Sequence, residues 1–462
     1  MYALVEGARH DRHSKSAHGR WQQRRRGAVT DMNGVRRIYE QSPYPGPAFK
    51  SESSARLDEL FIHNLVTPFY LRDQVVISAE GRAILDAGCG TGYDCRILAE
   101  TNPGARVLGI DFSGNAIAIA RQNLEQHRVP NLEFRQFPVE DLPGLGESFD
   151  YINCDEVMYM LPDPAEGLRA LVSVLKPHGI MRLNFHNSWQ RQAFYRAQEA
   201  SRLLGIFEAE SVTDQVARLR NLMAALRPVV DLKLRTKWSE RQLEPMEILN
   251  NELLNGDRGS TIPEVFSYLK AAGLQFISMV EWRTWELDDL WNVGSELPAD
   301  LSESLEKLSQ EDRLNFFDLL HPLHRLIDFW CSPMVPNEGW EPLSGWPAER
   351  WQGAKIHLHP GLSCAAVKKE WERSIAEQTP LDLRSFLTLT ARRPVHADAQ
   401  WLACLYPLFD GPQKFETLVK RWMALYPTDP LTLAPNSRER AETQVREMVA
   451  QLEVFLYLLV ES

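Results

Sequence analysis

Past about residue 53, short apolar runs alternate with stretches in which apolar positions recur every three or four residues. That alternation of periods is what β-α-β units produce. A helical segment, SSARLDELFIHNLVTPFYL, precedes the run AILDAG, which reads as a buried strand. A helix through DCRILAE and a second strand, RVLGID, follow. Ser113 stands where a helix N-cap belongs, and Ala116, Ala120 and Leu124 then share one helical face. LEFRQF and FDYINC give two more strands, and Leu168, Leu171, Val172 and Leu175 form the apolar stripe of a helix between PDP and Pro177. LKPHG is expected to break the chain before a fifth strand, IMRLNF.

Strand character fades from residue 186 to about 260, where segments such as RQAFYRAQEASRLLGIF read as helical. It then resumes. Thr261 and Glu264 have capping-box spacing, Pro263 falls in the first turn, and Gly273 ends that helix before QFISMVEW. RLIDFWC, residues 325–331, is a candidate last strand of the same sheet, which extends the α/β domain from residue 35 to about 335 around a helical insertion. Pro336, Pro342, Pro347 and the glycines among them mark residues 336–353 as a linker, whose Trp340, Trp346 and Trp351 imply packing. Residues 354–462 read as a mainly helical domain. Its final helix is expected to carry Val445, Met448, Val449, Leu452, Phe455, Leu456 and Leu459 inward.

Composition narrows the classes. Apolar content of 44% and charged content of 24% are those of an ordinary globular protein. A net charge of −11 argues against a nucleic-acid-coating protein, and the basic cluster from Arg218 to Arg241 reads as a solvated helical face. Six dispersed cysteines without a CxxC pair fit a reduced, cytoplasmic chain better than a disulfide or zinc scaffold. The longest late apolar run, VFLYLLV, is too short to cross a bilayer, so no membrane partner is expected. Residues 1–34 are polar and Arg-rich and read as a disordered tail, with Met32 an alternative start. Neither its histidines nor His357 and His359 make a convincing metal site, so no metal is expected.

Chemistry concentrates in ILDAGCGTGYDC. A dinucleotide fingerprint would need a third glycine where Tyr93 stands, and a phosphate loop would need a Lys-Ser or Lys-Thr that is missing. The pattern is instead Asp86-x-Gly88-x-Gly90-x-Gly92, which resembles motif I of class I S-adenosylmethionine-dependent methyltransferases. The resemblance implies a Rossmann-like sheet whose loop cradles the amino-acid part of that cofactor. It implies that Asp111, beside Phe112, takes the ribose hydroxyls, and that Val139 and Glu140 of FPVEDL meet the adenine. FDYINCDEVMYML resembles the fourth-strand motif, with Cys154 at the end that faces the methyl group. His178 stands where the family usually has glycine, and Pro138 where it more often has an acid.

The methyl acceptor is expected beyond strands four and five. Asp155, Glu156 and Tyr159 are candidates there, with His186, Asn187 and Trp189, and His186 is the best candidate for a general base. IYEQSPYPGPAF resembles the leader of a group of bacterial methyltransferases, which implies that Tyr39 and Tyr44 lie over the cofactor. LYPLFDGPQKFETLV resembles a stretch of the accessory domain that follows some bacterial protein-lysine methyltransferases. The sequence therefore leads to an α/β methyltransferase with a helical lid insertion at about 186–260 and a helical accessory domain. Its acceptor is a small molecule or a protein side chain, with nucleic acid disfavoured. The rival is an idle cofactor-sensing or scaffold protein with its pocket blocked around Tyr159 and His186; a nicotinamide oxidoreductase ranks third.

Overall fold

The structure is a computed structural model. It describes residues 36, 39–40, 43–44, 56–127, 129–241, 244–257, 259–292, 297–334, 341–429 and 432–462. The tail expected at 1–34, most of the leader, and Pro336 and Trp340 of the expected linker lie outside these residues.

Seven strands make one sheet. In chain order they are β1 (Ala83–Ala87), β2 (Arg106–Asp111), β3 (Leu132–Gln136), β4 (Phe149–Cys154), β5 (Leu175–His186), β6 (Leu274–Met279) and β7 (Leu326–Pro333). Their spatial order is β3-β2-β1-β4-β5-β7-β6. The first five run parallel, and β7 is antiparallel to both β5 and β6. QFISMVEW and RLIDFWC thus both contribute to the sheet. Burial follows the period of two: Leu85, Leu108, Ile110 and Ile152 pack into one apolar layer, while Ile84, Val107 and Tyr151 pack into the opposite one. The first layer is closed by Leu168, Leu171, Val265, Leu269 and Phe317, the second by Leu65, Phe69, Leu98 and Ile117. Ser113 caps its helix through a 3.0 Å bond from the Ala116 amide, and Thr261 and Glu264 complete the capping box.

Two local expectations are corrected. LKPHG does not interrupt the chain before β5 but lies within it, because a register shift between Phe149 and Tyr151 absorbs the extra residues. The last helix, Arg438–Glu453, stops before Phe455, Leu456 and Leu459. Leu456 adopts φ 55°, and the chain leaves as a strand, Leu458–Glu461. An unbroken apolar run carries no period to separate the two outcomes, and an antiparallel pairing with Lys355–Leu358 decides it.

Helices Gln192–Leu203, Val212–Ala225, Asp231–Arg235 and Pro245–Asn251 fill the insertion, with a small core of its own around Leu219, Met223, Ile248 and Leu253. Arg241, one of the basic cluster, is engaged by Glu247 and Glu252 at 2.6 Å each. Beyond the sheet, the C-terminal region is largely helical but adds short strands: β8 (Lys355–Leu358), β9 (Leu381–Asp382), β10 (His396–Ala397), β11 (Gln413–Lys414) and β12 (Leu458–Glu461). They form a three-stranded sheet, β11-β8-β12, and a separate β9-β10 pair. Trp346, Trp351 and Trp371 are buried in the C-terminal core together with Phe61, Val66 and Tyr70 from the two helices preceding β1, Arg56–His63 and Val66–Asp73. No helix among the described residues is long and apolar enough to cross a membrane.

His359 sits in that junction. The Gly361 amide donates to its Nδ1 at 3.0 Å, so Nε2 carries the proton and donates to Thr67 Oγ1 at 3.0 Å; that hydroxyl donates in turn to Phe61 O. Burial pushes the imidazole down to about 3. The unfolded chain then binds the extra proton between about pH 6.5 and 3, so this residue costs stability as pH falls through that window. The full effect is on the order of 5 kcal/mol at about 1.4 kcal/mol per pKa unit. Asp86, Asp318 and Asp328, raised by burial to about 6, oppose it in part of the same range. A comparison of variants isolates the term: H359Q should show a shallower loss of stability from pH 6.5 to 4 than wild type in urea titrations, and an unchanged slope would refute the assignment.

Candidate functional site

The turn after β1 needs glycine for reasons that differ by position. Gly88 has φ 90°, and a Cβ there would meet Val157 Cγ2 at 2.3 Å. Its amide and that of Cys89 donate to Ile110 O at 2.8 and 2.9 Å, which pins the loop to β2. Gly92, at φ 88°, starts the helix Tyr93–Thr101, and its bare face lies on Phe134, 2.5 Å from an added Cβ. The Gly90 amide donates to Asp111 Oδ2 at 3.0 Å, and the Ser113 amide to Asp111 Oδ1 at 2.8 Å. Each carboxylate oxygen of Asp111 therefore keeps lone-pair capacity for a hydroxyl donor. Burial raises its pKa against those two bonds.

This loop edges a cavity of about 660 Å³ at the carboxyl end of the sheet. Gly88, Gly90, Asp111, Phe112, Val139 and Glu140 line one end of it, and Asp155, Glu156, Tyr159, Met246, Asn250 and Arg325 line the other. Tyr39 and Tyr44 also face the cavity, the first donating to Asn250 Oδ1 at 3.1 Å, the second accepting the Thr91 amide through its carbonyl at 3.1 Å. Leader and insertion thus meet across the opening. Arg36 pairs with Glu140 at 3.4 Å over the Phe112 ring.

Four of the expected site residues lie off the cavity wall, Gly92 among them with its bare face on Phe134. Asp86 is buried under the loop, where Asn153 Nδ2 and Cys95 Sγ donate to it at 2.8 and 3.0 Å. Cys154 is fully buried in the sheet. His186 lies behind Tyr159, whose ring stacks on it at 3.6 Å, and is off the cavity wall. It donates from Nδ1 to Asp257 Oδ2 at 2.9 Å, leaving Nε2 to accept from Arg325 at 3.2 Å. Burial lowers its pKa despite Asp257. With its lone pair already engaged, His186 is geometrically a support for Arg325. Asn187 likewise braces its own turn, donating to Asp318 at 2.6 Å and accepting the Trp189 amide at 2.9 Å.

Sequence reasoning missed Asp94, Glu59 and Arg325. Asp94, in the first turn after the glycines, reaches the cavity, and burial, then Asp155 and Asp86, hold its carboxyl well above the usual range. Tyr93 donates to Glu59 at 2.8 Å from the helix Arg56–His63. Arg325 precedes β7 and grips Glu156 with both terminal nitrogens. Glu156 has φ 55°, an unusual conformation for a side chain of its size. Its amide donates to Asn184 Oδ1 at 2.8 Å, and Tyr159 donates to its carboxylate at 2.8 Å. Burial alone would raise its pKa, but the Arg325 pair outweighs this and holds it at about 2.

Residues 78–251 match the family described as methyltransferase domain. The chain carries a class I methyltransferase domain. An uncharacterised protein of Synechococcus sp. is 29% identical over 297 residues, 57% of this chain and 67% of that one. A ubiquinone biosynthesis O-methyltransferase of Acinetobacter baylyi is 42% identical over 102 residues, 21% of this chain. The match spans only 41% of that enzyme's own length. Among solved structures, PKMT2 from Rickettsia typhi superposes with a TM-score of 0.57 at 15% identity, covering 89% of this chain and 76% of that one. The similarity is one of fold, and its extent takes in the C-terminal region of this methyltransferase.

Proposed function

We propose that this protein transfers a methyl group from S-adenosylmethionine to an acceptor that enters between Tyr159 and the helix Pro245–Asn251. The observation that carries the reading is the bare loop Gly88–Gly90 opening into a cavity with Asp94 and Asp155 nearby and Asp111 anchored to Gly90. A sulfonium and an ammonium suit the carboxylates, ribose hydroxyls suit Asp111, and Phe112 and Val139 offer apolar contact to a purine. Occupied, the site would present an electrophilic methyl group with a neutral leaving group. The protein's part is then alignment and exclusion of water.

The lining also bears on the acceptor. Among the described lining residues seven are acidic and two basic. Arg36 and Arg325 pair with Glu140 and Glu156, and Arg241 and Arg182 from outside the wall engage Glu247 and Asp155. Glu59, Asp94 and Asp111 are left without a cationic partner on the wall. With Tyr39, Tyr44 and Tyr159 on the wall, that surplus of negative charge favours a basic acceptor over an anionic one. A protein amine is supported by the resemblance of LYPLFDGPQKFETLV to the accessory domain of bacterial protein-lysine methyltransferases. A small amine fits the enclosing insertion. The idle-sensor rival expected a blocked pocket, whereas Tyr159 folds back on His186 and leaves the cavity open.

Incubation with methyl-labelled cofactor and a cell lysate, followed by separation of protein from small molecules, tests this. Label should enter one of the two fractions, and E156Q should lower its transfer at least tenfold with cofactor binding retained. Binding without transfer into either fraction would favour the sensor, and absence of binding would remove the cofactor assignment itself.

A further inference from the structure

Arg182 projects from the middle of β5 into the sheet's carboxyl-end floor, with its side chain 7% exposed. Nε and one terminal nitrogen grip Asp328 of β7 at 3.1 and 2.7 Å, the fork-on-fork geometry that fixes a guanidinium in one orientation. The remaining nitrogen, NH1, lies 3.4 Å from each of Asp155 Oδ2, Asn153 Oδ1 and His63 Nε2. Two of these lead to the cavity. Asp155 is on its wall, and Asn153 passes the contact to Asp86, directly below the glycine loop. His63 donates from Nδ1 to Glu59 O at 2.8 Å, so its Nε2 is an acceptor and brings no charge to the cluster.

We propose that Arg182 is a positioning residue for the cofactor: it holds Asp155, and through Asn153 Asp86, in fixed orientation below the glycine loop, where a bound ligand's cationic centre would lie. This rests on the cofactor reading above. Four carboxylates, Asp86, Asp94, Asp155 and Asp328, with Glu281 just past the end of β6 acting on Asp328, surround this buried guanidinium. Glu59 faces the same floor from the helix Arg56–His63. Buried acids in that number ionise together only if positive charge is supplied. Arg182 supplies part of it from below, and a bound sulfonium and ammonium would supply the rest from above. A purely structural strap between β5 and β7 would need only the Asp328 fork, and would leave NH1 without the contacts that it makes toward Asp155 and Asn153.

The experiment titrates S-adenosylmethionine and its demethylated thioether into the full chain by calorimetry from pH 6 to 9. R182M should bind at least tenfold more weakly at pH 7, with the deficit shrinking by pH 9 as the buried carboxyls of Asp86 and Asp94, both raised by burial, ionise unaided. R182K, which keeps the charge but not the fork, should lose only a few-fold and retain the wild-type pH profile. D328N loosens the strap and leaves the charge, so it should lower the melting temperature and weaken binding clearly less than R182M does. Equal affinity of R182M and wild type at every pH overturns the proposal, as does a D328N deficit matching that of R182M. If R182M does not fold, a tenfold or greater loss in R182K with an altered pH profile overturns it equally. A wild type that fails to bind either ligand overturns the cofactor reading instead.

Discussion

Gly88→Ala should weaken binding of S-adenosylmethionine at least tenfold and lower the melting temperature of the free protein. Two separable effects act at this position. An alanine at φ 90° is strained, at a cost of about 1–2 kcal/mol for a non-glycine residue in left-handed backbone. Its Cβ would also stand 2.3 Å from Val157 Cγ2, and relieving that contact forces either the loop or the Val157 side chain to move. Both flank the cavity, so the displacement falls on the ligand. The Gly88 amide bond to Ile110 O, which sets the loop's height over β2, would lengthen as well. G88A/V157A separates the terms: removing the valine methyls should recover part of the affinity, and the backbone strain should remain. Calorimetry and thermal melts on both variants check this, and wild-type affinity in G88A would mean that no ligand approaches the main chain there.

The parallel half of the sheet was legible because its signals are local. AILDAG, RVLGID and FDYINC each announce a buried strand, and Ser113 and Thr261 announce helix starts by side-chain chemistry alone. The glycine spacing and Asp111 were legible for the same reason, since a turn and its anchor lie within one β-α-β unit. What escaped was assembled by tertiary contact. Arg325 is 169 residues from Glu156 and meets it only because β7 inserts antiparallel beside β5. Arg182 reads as one polar residue in an apolar strand until Asp328 is placed opposite it. His186 illustrates the converse. Its place after β5 suggested a base, but Asp257, from the end of the insertion, and Arg325 occupy both ring nitrogens. No pattern near His186 carries that information.

A chain truncated after residue 334 should fail to accumulate as a folded methyltransferase domain. The C-terminal core includes Phe61, Val66 and Tyr70, all within the two helices that lead into β1. Exposing three such side chains costs about 5–9 kcal/mol at 1.5–3 kcal/mol each, comparable with the whole stability of an ordinary domain. Polar groups would be stranded too. Asp58 is buried and accepts from the Thr388 amide at 2.8 Å and its hydroxyl at 2.6 Å, and Tyr70 donates to Glu453 at 2.8 Å while accepting the Val460 amide at 3.0 Å. The consequence reaches the cavity through one helix. Asp58, which meets the C-terminal region, is followed directly by Glu59, which meets Tyr93 at the cavity, and His63 of the same helix meets Arg182. We therefore propose that residues 341–462 act as a structural half of the enzyme and not as a detachable accessory. Solubility, near-ultraviolet circular dichroism and hydrogen exchange of the fragment check this. Protection of β1 and β4 amides equal to that in the full chain would show that the sheet stands without its C-terminal partner, and the proposal would fall.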